Sequence, residues 1–279
     1  MPELPEVETV LRALLSNGVV GSTISRIEIK KQNHIKEISP EDFIKNLTGK
    51  TIRNIERKGK WLFFIFDDQV LISHLRMTGK YFFEENSHVP SLIFHFANRK
   101  KLIYCDPRGF GVFYLQSLDN YHSLHPYKEI GPDLIQEEVA VDYLFTKFQK
   151  SKLPIKSTLL EQKIMSGIGN IYASEILFVC KISPFKPTNK ISLEETKKII
   201  HHSKIMLQKA IDLGGTSVVD FVSPIKGKGS YQNELKVYMR ENKPCYVCNS
   251  PIIAEVINNR NSFFCSQCQK LEIIENTQK

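Results

Sequence analysis

The chain has no run of about eighteen apolar residues, so no membrane-spanning helix is expected. It also lacks a basic, apolar leader. Glu3, Glu6 and Glu8 crowd the opening segment, which argues against a secretory signal peptide. No strand–helix–strand alternation is visible, so a doubly wound parallel sheet is not expected. Internal repeats and long low-complexity segments are missing as well. Cysteine is sparse, with six residues in 279. Cys105 and Cys180 stand alone in apolar stretches and read as ordinary buried thiols. With the other four committed to metal, as argued next, the expected setting is a reducing cytoplasm.

The composition is 42% hydrophobic, over a length sufficient for two domains with cores of their own. The formal net charge is +8. A basic chain favours polyanionic partners, because each neutralised phosphate releases counterions. Charge alone names no partner; the cysteines are more specific. Cys245-x2-Cys248 and Cys265-x2-Cys268 are separated by sixteen residues. Two such knuckles can bring four thiolates to the tetrahedral spacing that Zn²⁺ requires, so one structural zinc ion is expected. Unpaired or disulfide-bonded cysteines are the alternative. Between the knuckles, Pro251 to Ile257 reads as a strand, Asn258-Asn259 as a turn and Ser262-Phe263-Phe264 as a returning strand.

Elsewhere, Val7, Val10, Leu11, Leu14 and Leu15 recur at helical spacing, with Pro5 suited to the first turn and Gly18 to the stop, so a helix is predicted from Pro5 to Asn17. From Ile24 to about Ser117 the texture is β, with short runs such as Trp61 to Phe66, Val70 to Ile72, Tyr81 to Phe83, Ser91 to Phe96 and Lys101 to Tyr104. Such spacing predicts a β-sandwich. The texture changes near Gly131-Pro132-Asp133. Helices are predicted over Asp142–Gln149, Ile155–Gln162, Ala173–Val179 and Leu193–Leu213, the last opened by a Ser192…Glu195 capping box and closed by Gly214-Gly215. A Gly/Ser/Lys stretch from Ser223 to Ser230 then reads as a loop. The expected class is α+β: a β-sandwich domain with a leading helix (1–132), a helical domain (133–240) and the cysteine hairpin (241–279).

The N-terminus admits two readings. It is either an ordinary helix start with acidic residues complementing the dipole, or a nucleophile. Proline at position 2 permits removal of Met1, which would leave a secondary amine. An α-amine titrates far below a lysine, and the positive end of a helix disfavours its protonation further. Such an amine can capture an electrophilic sugar carbon as an iminium, an electron sink for β-elimination. Glu3 and Glu6 are near enough in sequence to move protons. While Met1 remains attached, the Pro2 nitrogen is an amide and cannot attack.

Pro2-Glu3-Leu4-Pro5-Glu6-Val7-Glu8-Thr9 resembles the opening signature of the bacterial formamidopyrimidine-DNA glycosylases. So do Ile72 to Lys80, Asp106-Pro107-Arg108-Gly109-Phe110-Gly111, Gly167 to Glu175, Gly214-Gly215-Thr216-Ser217, and the cysteine hairpin with Arg260 ahead of its second knuckle. These motifs run from residue 2 to 268 in the family's order. The resemblance implies a bifunctional glycosylase and abasic-site lyase of base-excision repair, acting as a monomer on duplex DNA that holds a damaged purine such as 8-oxoguanine or an abasic site. It implies that Pro2 attacks C1′, that Glu3 handles protons, and that Glu6 supports them. Lys60 and Arg260 would contact phosphate and assist elimination. Met77, Arg108 and Phe110 would fill the gap left by the everted base. Asn170, in a helix–two-turn–helix element, would bind phosphate, with His74, His88 and Lys152 as further DNA contacts.

The chain departs from the family in places. Gly109 stands where a second basic residue is frequent, Val218 and Val219 follow the Gly-Gly-Thr segment where a basic residue is common, Asn249 replaces a glycine, and the loop between Met77 and Arg108 is short. Gly227 and Gly229, with Lys226 and Lys228, mark the Ser217–Tyr231 loop as a candidate lesion reader. A non-catalytic DNA-binding relative on the same scaffold is the alternative function. A zinc-ribbon interaction module would leave the N-terminal signature unexplained.

Overall fold

The computed structural model describes residues 1–217 and 229–271, and the chain divides into two units. The first comprises Met1–Ile130 with Lys209–Asn233, and the second Gly131–Gln208 with Glu234–Lys279. Val218, Val219 and the 226–228 part of the candidate lesion-reading loop lie outside the described residues.

The first unit opens with helix α1 (Leu4–Ser16). Glu3 occupies its N-cap and donates its N–H to Glu6 Oε2 at 2.8 Å. Pro5 sits in the first turn, where a missing N–H costs nothing. Val7, Val10, Leu11 and Leu14 form the buried stripe, as the periodicity predicts. Then follow β1 (Ile24–Ile29), β2 (Ile35–Lys36), α2 (Pro40–Leu47), β3 (Asn54–Lys58), β4 (Trp61–Ile65), β5 (Gln69–His74), β6 (Lys80–Phe82), β7 (Leu92–Phe96), β8 (Lys101–Cys105) and β9 (Val112–Ser117). They build a four-stranded sheet, β1-β7-β8-β6, and a five-stranded sheet, β2-β9-β5-β4-β3. All pairings are antiparallel except the short β2–β9 contact.

The expected sandwich is present. Leu62, Phe64, Leu71 and Phe113 of the larger sheet share one core with Ile27, Phe94, Leu102 and Tyr104 of the smaller sheet and with the α1 stripe. The other face of β4 is covered too, since Phe63 packs with Val70, Ile72 and Tyr121. Coverage on both faces explains why β4 reads as an unbroken apolar run rather than an alternating one. Helix α2 was not legible within that β texture. It is short, and its start is set by Ser39, whose hydroxyl accepts the Asp42 N–H at 3.0 Å, and by Pro40. Phe43 and Leu47 are buried in the core, and Ile44 packs against it half-buried.

The second unit holds α3 (Val141–Gln149), α4 (Ile155–Leu159), α5 (Asn170–Cys180) and α6 (Leu193–Asp212), whose last residues group with the first unit. Ser192 and Glu195 make the reciprocal cap expected of them, at 2.8 and 3.1 Å. Helix α4 stops earlier than expected. The Gln162 side chain donates to the Leu160 and Ile168 carbonyls and accepts the Gly167 N–H, which organises a turn instead of further helix. The hairpin β10 (Ile253–Ile257) and β11 (Arg260–Phe264) turns at Asn258 and Asn259, both at positive φ, as a tight two-residue turn requires. No helix among the described residues is long and apolar enough to cross a membrane.

Candidate active site and nucleic-acid interface

In the first unit, Pro2 is buried and Glu3 and Glu6 are only 2% and 1% exposed, although they open the chain. Glu6 is held from both sides. Its Oε2 takes the Glu3 N–H, and its Oε1 takes the Thr216 N–H at 2.7 Å and the Thr216 hydroxyl at 2.9 Å. Gly215, at φ +78°, lies so close that a Cβ there would stand 2.9 Å from Glu6 Oε1. The Gly-Gly-Thr segment is therefore shaped around the Glu6 carboxyl group. Sequence reasoning had matched this segment as a motif without finding its partner. Met1 is 44% exposed, and while it is attached the Pro2 nitrogen is an amide.

Lys60 belongs to the two-residue turn joining β3 to β4 and is buried, 4% exposed. Arg57 builds that turn. Fully interior, it donates Nε to Glu8 Oε2 of α1 at 2.7 Å and Nη1 to the Gly59 carbonyl at 3.0 Å. Arg57 was missed, yet a signal existed, since it shares the inward face of β3 with Ile55. His74 pairs across the sheet with Trp61, their rings edge to face at 4.5 Å, and its Nδ1 accepts the Arg76 N–H at 2.9 Å. Burial, and then the cations Arg76 and Lys60, hold its pKa well below the ordinary histidine value. It is a neutral, interior ring with the proton on Nε2.

Met77, distant in sequence, is brought to Arg108 and Phe110. Arg108 Nη1 lies 3.3 Å from Met77 Sδ, and its guanidinium stands 5.0 Å from the Phe110 ring centroid. Phe110 is half exposed. Gly109 between them adopts φ +71°, a backbone conformation that suits glycine, and Asn33 Nδ2 would lie 2.9 Å from a Cβ there. His88 is half-buried, 5.0 Å from the Phe82 ring, with Nδ1 beside Asn86 Oδ1 at 3.0 Å.

In the second unit, Asn170 is the first residue of α5, and its Nδ2 donates to the Asn261 carbonyl at 3.1 Å. Lys156 of α4, 1% exposed, donates to the same carbonyl at 3.0 Å and to Ser262 Oγ at 2.8 Å. Two helices thus fix the strand that begins at the exposed Arg260. Lys156 was not singled out from the sequence; Lys152, which was, is exposed just before α4. Sequence reasoning also missed the purpose of Glu175, whose carboxyl group accepts the backbone N–H groups of Lys236, Val237 and Tyr238 at 2.8–2.9 Å. That grip anchors the segment leading into the first cysteine knuckle.

Cys245, Cys248, Cys265 and Cys268 converge, their sulfurs all within 4.8 Å of one another. Cys248 and Cys265 are 3.4 Å apart and Cys245 and Cys268 3.9 Å apart. A tetrahedral ion with metal–sulfur bonds of about 2.3 Å needs sulfurs about 3.8 Å apart, so the donor set fits such an ion.

The chain is similar to known proteins along its length. Residues 1–113 match the family model described as formamidopyrimidine-DNA glycosylase N-terminal domain, and residues 130–222 match the formamidopyrimidine-DNA glycosylase H2TH domain. The formamidopyrimidine-DNA glycosylase of Mycoplasma mobile is 39% identical, over 97% of this chain and all of its own length. That of Listeria monocytogenes is 36% identical with the same coverage. A variant of the Lactococcus lactis enzyme, crystallised with DNA containing Fapy-dG, is 38% identical and superposes with a TM-score of 0.90 over 97% of this chain and 100% of that one. The Lactococcus lactis enzyme with abasic-site DNA gives 0.88 at 38% identity, over 96% of this chain and 100% of its own. On two domain matches and full-length identity with these enzymes, the chain belongs to the formamidopyrimidine-DNA glycosylase family.

Proposed function

We propose that Pro2, once Met1 is removed, is the nucleophile with which this DNA glycosylase excises oxidised purines, 8-oxoguanine and formamidopyrimidines, from duplex DNA. Its amine attacks C1′ of the damaged nucleoside, the glycosidic bond breaks, and the sugar opens to an iminium. Loss of a C2′ proton then expels the 3′ phosphate, and a second elimination expels the 5′ phosphate. Glu3 moves the protons, Glu6 positions the N-terminus, and Lys60 and Arg260 offset charge on the departing phosphates. Met77, Arg108 and Phe110 fill the vacated stack, and Asn170, His74, His88 and Lys152 serve backbone contact. Zn²⁺ is the ion for the four thiolates, and with no open ligand position it is structural. The segments 1–132, 133–240 and 241–279 carry catalysis, phosphate binding and the metal hairpin. The enzyme works as a cytoplasmic monomer.

The observation supporting this reading most strongly is the buried chain start. Two interior glutamates follow the second residue, one of them fixed by hydrogen bonds from both Glu3 and Thr216. Burying two carboxyl groups costs stability, and a plain helix start has no need of it. Borohydride reduction on one 8-oxoguanine:cytosine duplex tests the proposal. The Met1-free protein should be trapped covalently, and the Met1-retaining protein should bind without trapping. Equal trapping by both forms would remove Pro2 as nucleophile and turn attention to Lys60.

A further inference from the structure

The Asp106 side chain is wholly interior, yet its loop carries the exposed Arg108 and Phe110. Its Oδ2 accepts the Gly111 N–H at 2.7 Å, just past Phe110. Its Oδ1 accepts the hydroxyl of Thr78, the neighbour of Met77. One carboxyl group therefore ties together two loops from different parts of the chain, each carrying part of the Met77–Arg108–Phe110 cluster. A second contact joins the same loops. The Tyr104 hydroxyl occupies the space a Cβ would need at both Gly79 and Gly111, at 2.5 and 1.7 Å from the ideal positions. The loop base is fixed further by His34 Nδ1 donating to the Gly111 carbonyl at 2.9 Å, Asn33 Nδ2 to the Gly109 carbonyl at 2.8 Å and Lys31 Nζ to the Asp106 carbonyl at 3.1 Å.

We propose that Asp106 is a positioning residue, which through Thr78 sets Met77 and the Arg108–Phe110 loop as a single rigid wedge for base eversion. This rests on the catalytic reading above. A buried carboxyl group that served only to close its own loop would need the Gly111 amide and no cross-loop partner. The link to Thr78 makes sense if the two loops must move into the base stack as one body. Unstacking a base costs free energy, and a wedge that is already ordered adds no ordering cost of its own at insertion.

The test uses the full chain with Met1 removed. Thr78→Val deletes the cross-loop donor and leaves Asp106 and Gly111 in place. Thr78→Ser restores the hydroxyl, and Asp106→Asn is a second, near-isosteric probe. Three readouts are compared with melting temperature: single-turnover excision of 8-oxoguanine, borohydride trapping on a preformed abasic site, and fluorescence of a 2-aminopurine beside the lesion. Thr78→Val should slow excision by about tenfold, the scale of one lost buried hydrogen bond, and should weaken the fluorescence rise. It should change abasic-site trapping far less, and Thr78→Ser should recover both losses. Equal losses on both substrates in Thr78→Val and Asp106→Asn would reduce Asp106 to a structural role and overturn the proposal. So would an unchanged fluorescence rise in Thr78→Val. The fluorescence needs wedge insertion but no chemistry, whereas failure of the wild-type protein to be trapped would refute the catalytic reading alone.

Discussion

Thr216 donates both its backbone N–H and its hydroxyl to a single oxygen of Glu6, 210 residues earlier in the chain. The carboxyl group's other oxygen holds the Glu3 N–H, so the two ends of the first unit meet at one side chain.

Thr216→Val keeps the backbone donor and removes the hydroxyl. The expected loss in the rate of Schiff-base formation is about three- to tenfold, the range of one modest hydrogen bond. Gly215→Ala should be worse, because it combines a positive-φ backbone with a Cβ 2.9 Å from Glu6 Oε1. Rapid-quench borohydride trapping on an abasic-site duplex measures both. If Gly215→Ala reacts at the wild-type rate, Glu6 is not held by this segment.

Removing the metal should unfold the hairpin locally. Cys265 is fully buried, and its sulfur stands among the other three. Cys265→Ser, or prolonged chelation, should release one zinc per chain, measured by elemental analysis, and weaken DNA binding at least tenfold, because the strand starting at Arg260 loses its base. Zinc-free protein with undiminished DNA affinity would contradict this.

Arg260 is exposed at the start of β11, while Lys156 and Asn170 fix the next residue's carbonyl. Arg260→Ala should lower the slope of log affinity against log salt by about one unit, as expected for one lost phosphate contact. Fluorescence anisotropy over a salt series reads the slope directly, and an unaltered slope would take Arg260 off the phosphate.

His74 gives a pH prediction. Its folded pKa lies below the unfolded value, mainly through burial. As pH falls, the unfolded chain takes up this proton first. The contribution of the neutral ring to stability is therefore complete above about pH 6.5 and is lost below it, by about 1.4 kcal/mol per pH unit until the folded pKa is reached. His74→Asn keeps an acceptor for the Arg76 N–H and removes the titration. Denaturant melts at about pH 7.5 and 5.5 should show a smaller acid loss in the variant than in the wild type. Identical losses would mean that His74 is not held neutral.

Periodicity and punctuation made much of this fold readable. The α1 stripe, the Ser192 cap and the Asn258-Asn259 turn are local patterns, and each is present in the structure. Helix α2 was hidden because it is short and only two of its side chains are fully buried. The cysteine cluster was legible because metal ligation imposes a spacing on sequence. The supports of the site were not, because they are pairings across long separations. Arg57 with Glu8, Lys156 with Asn261 and Thr216 with Glu6 obey no local spacing rule. Arg57 alone left a trace, a charged residue at an inward strand position.

The first unit is discontinuous, closed by Lys209–Asn233. During synthesis on the ribosome, the residues that open the chain emerge first and must wait for most of the remainder before Thr216 exists to grip Glu6. A nascent or prematurely terminated chain therefore displays the N-terminal signature without its clamp.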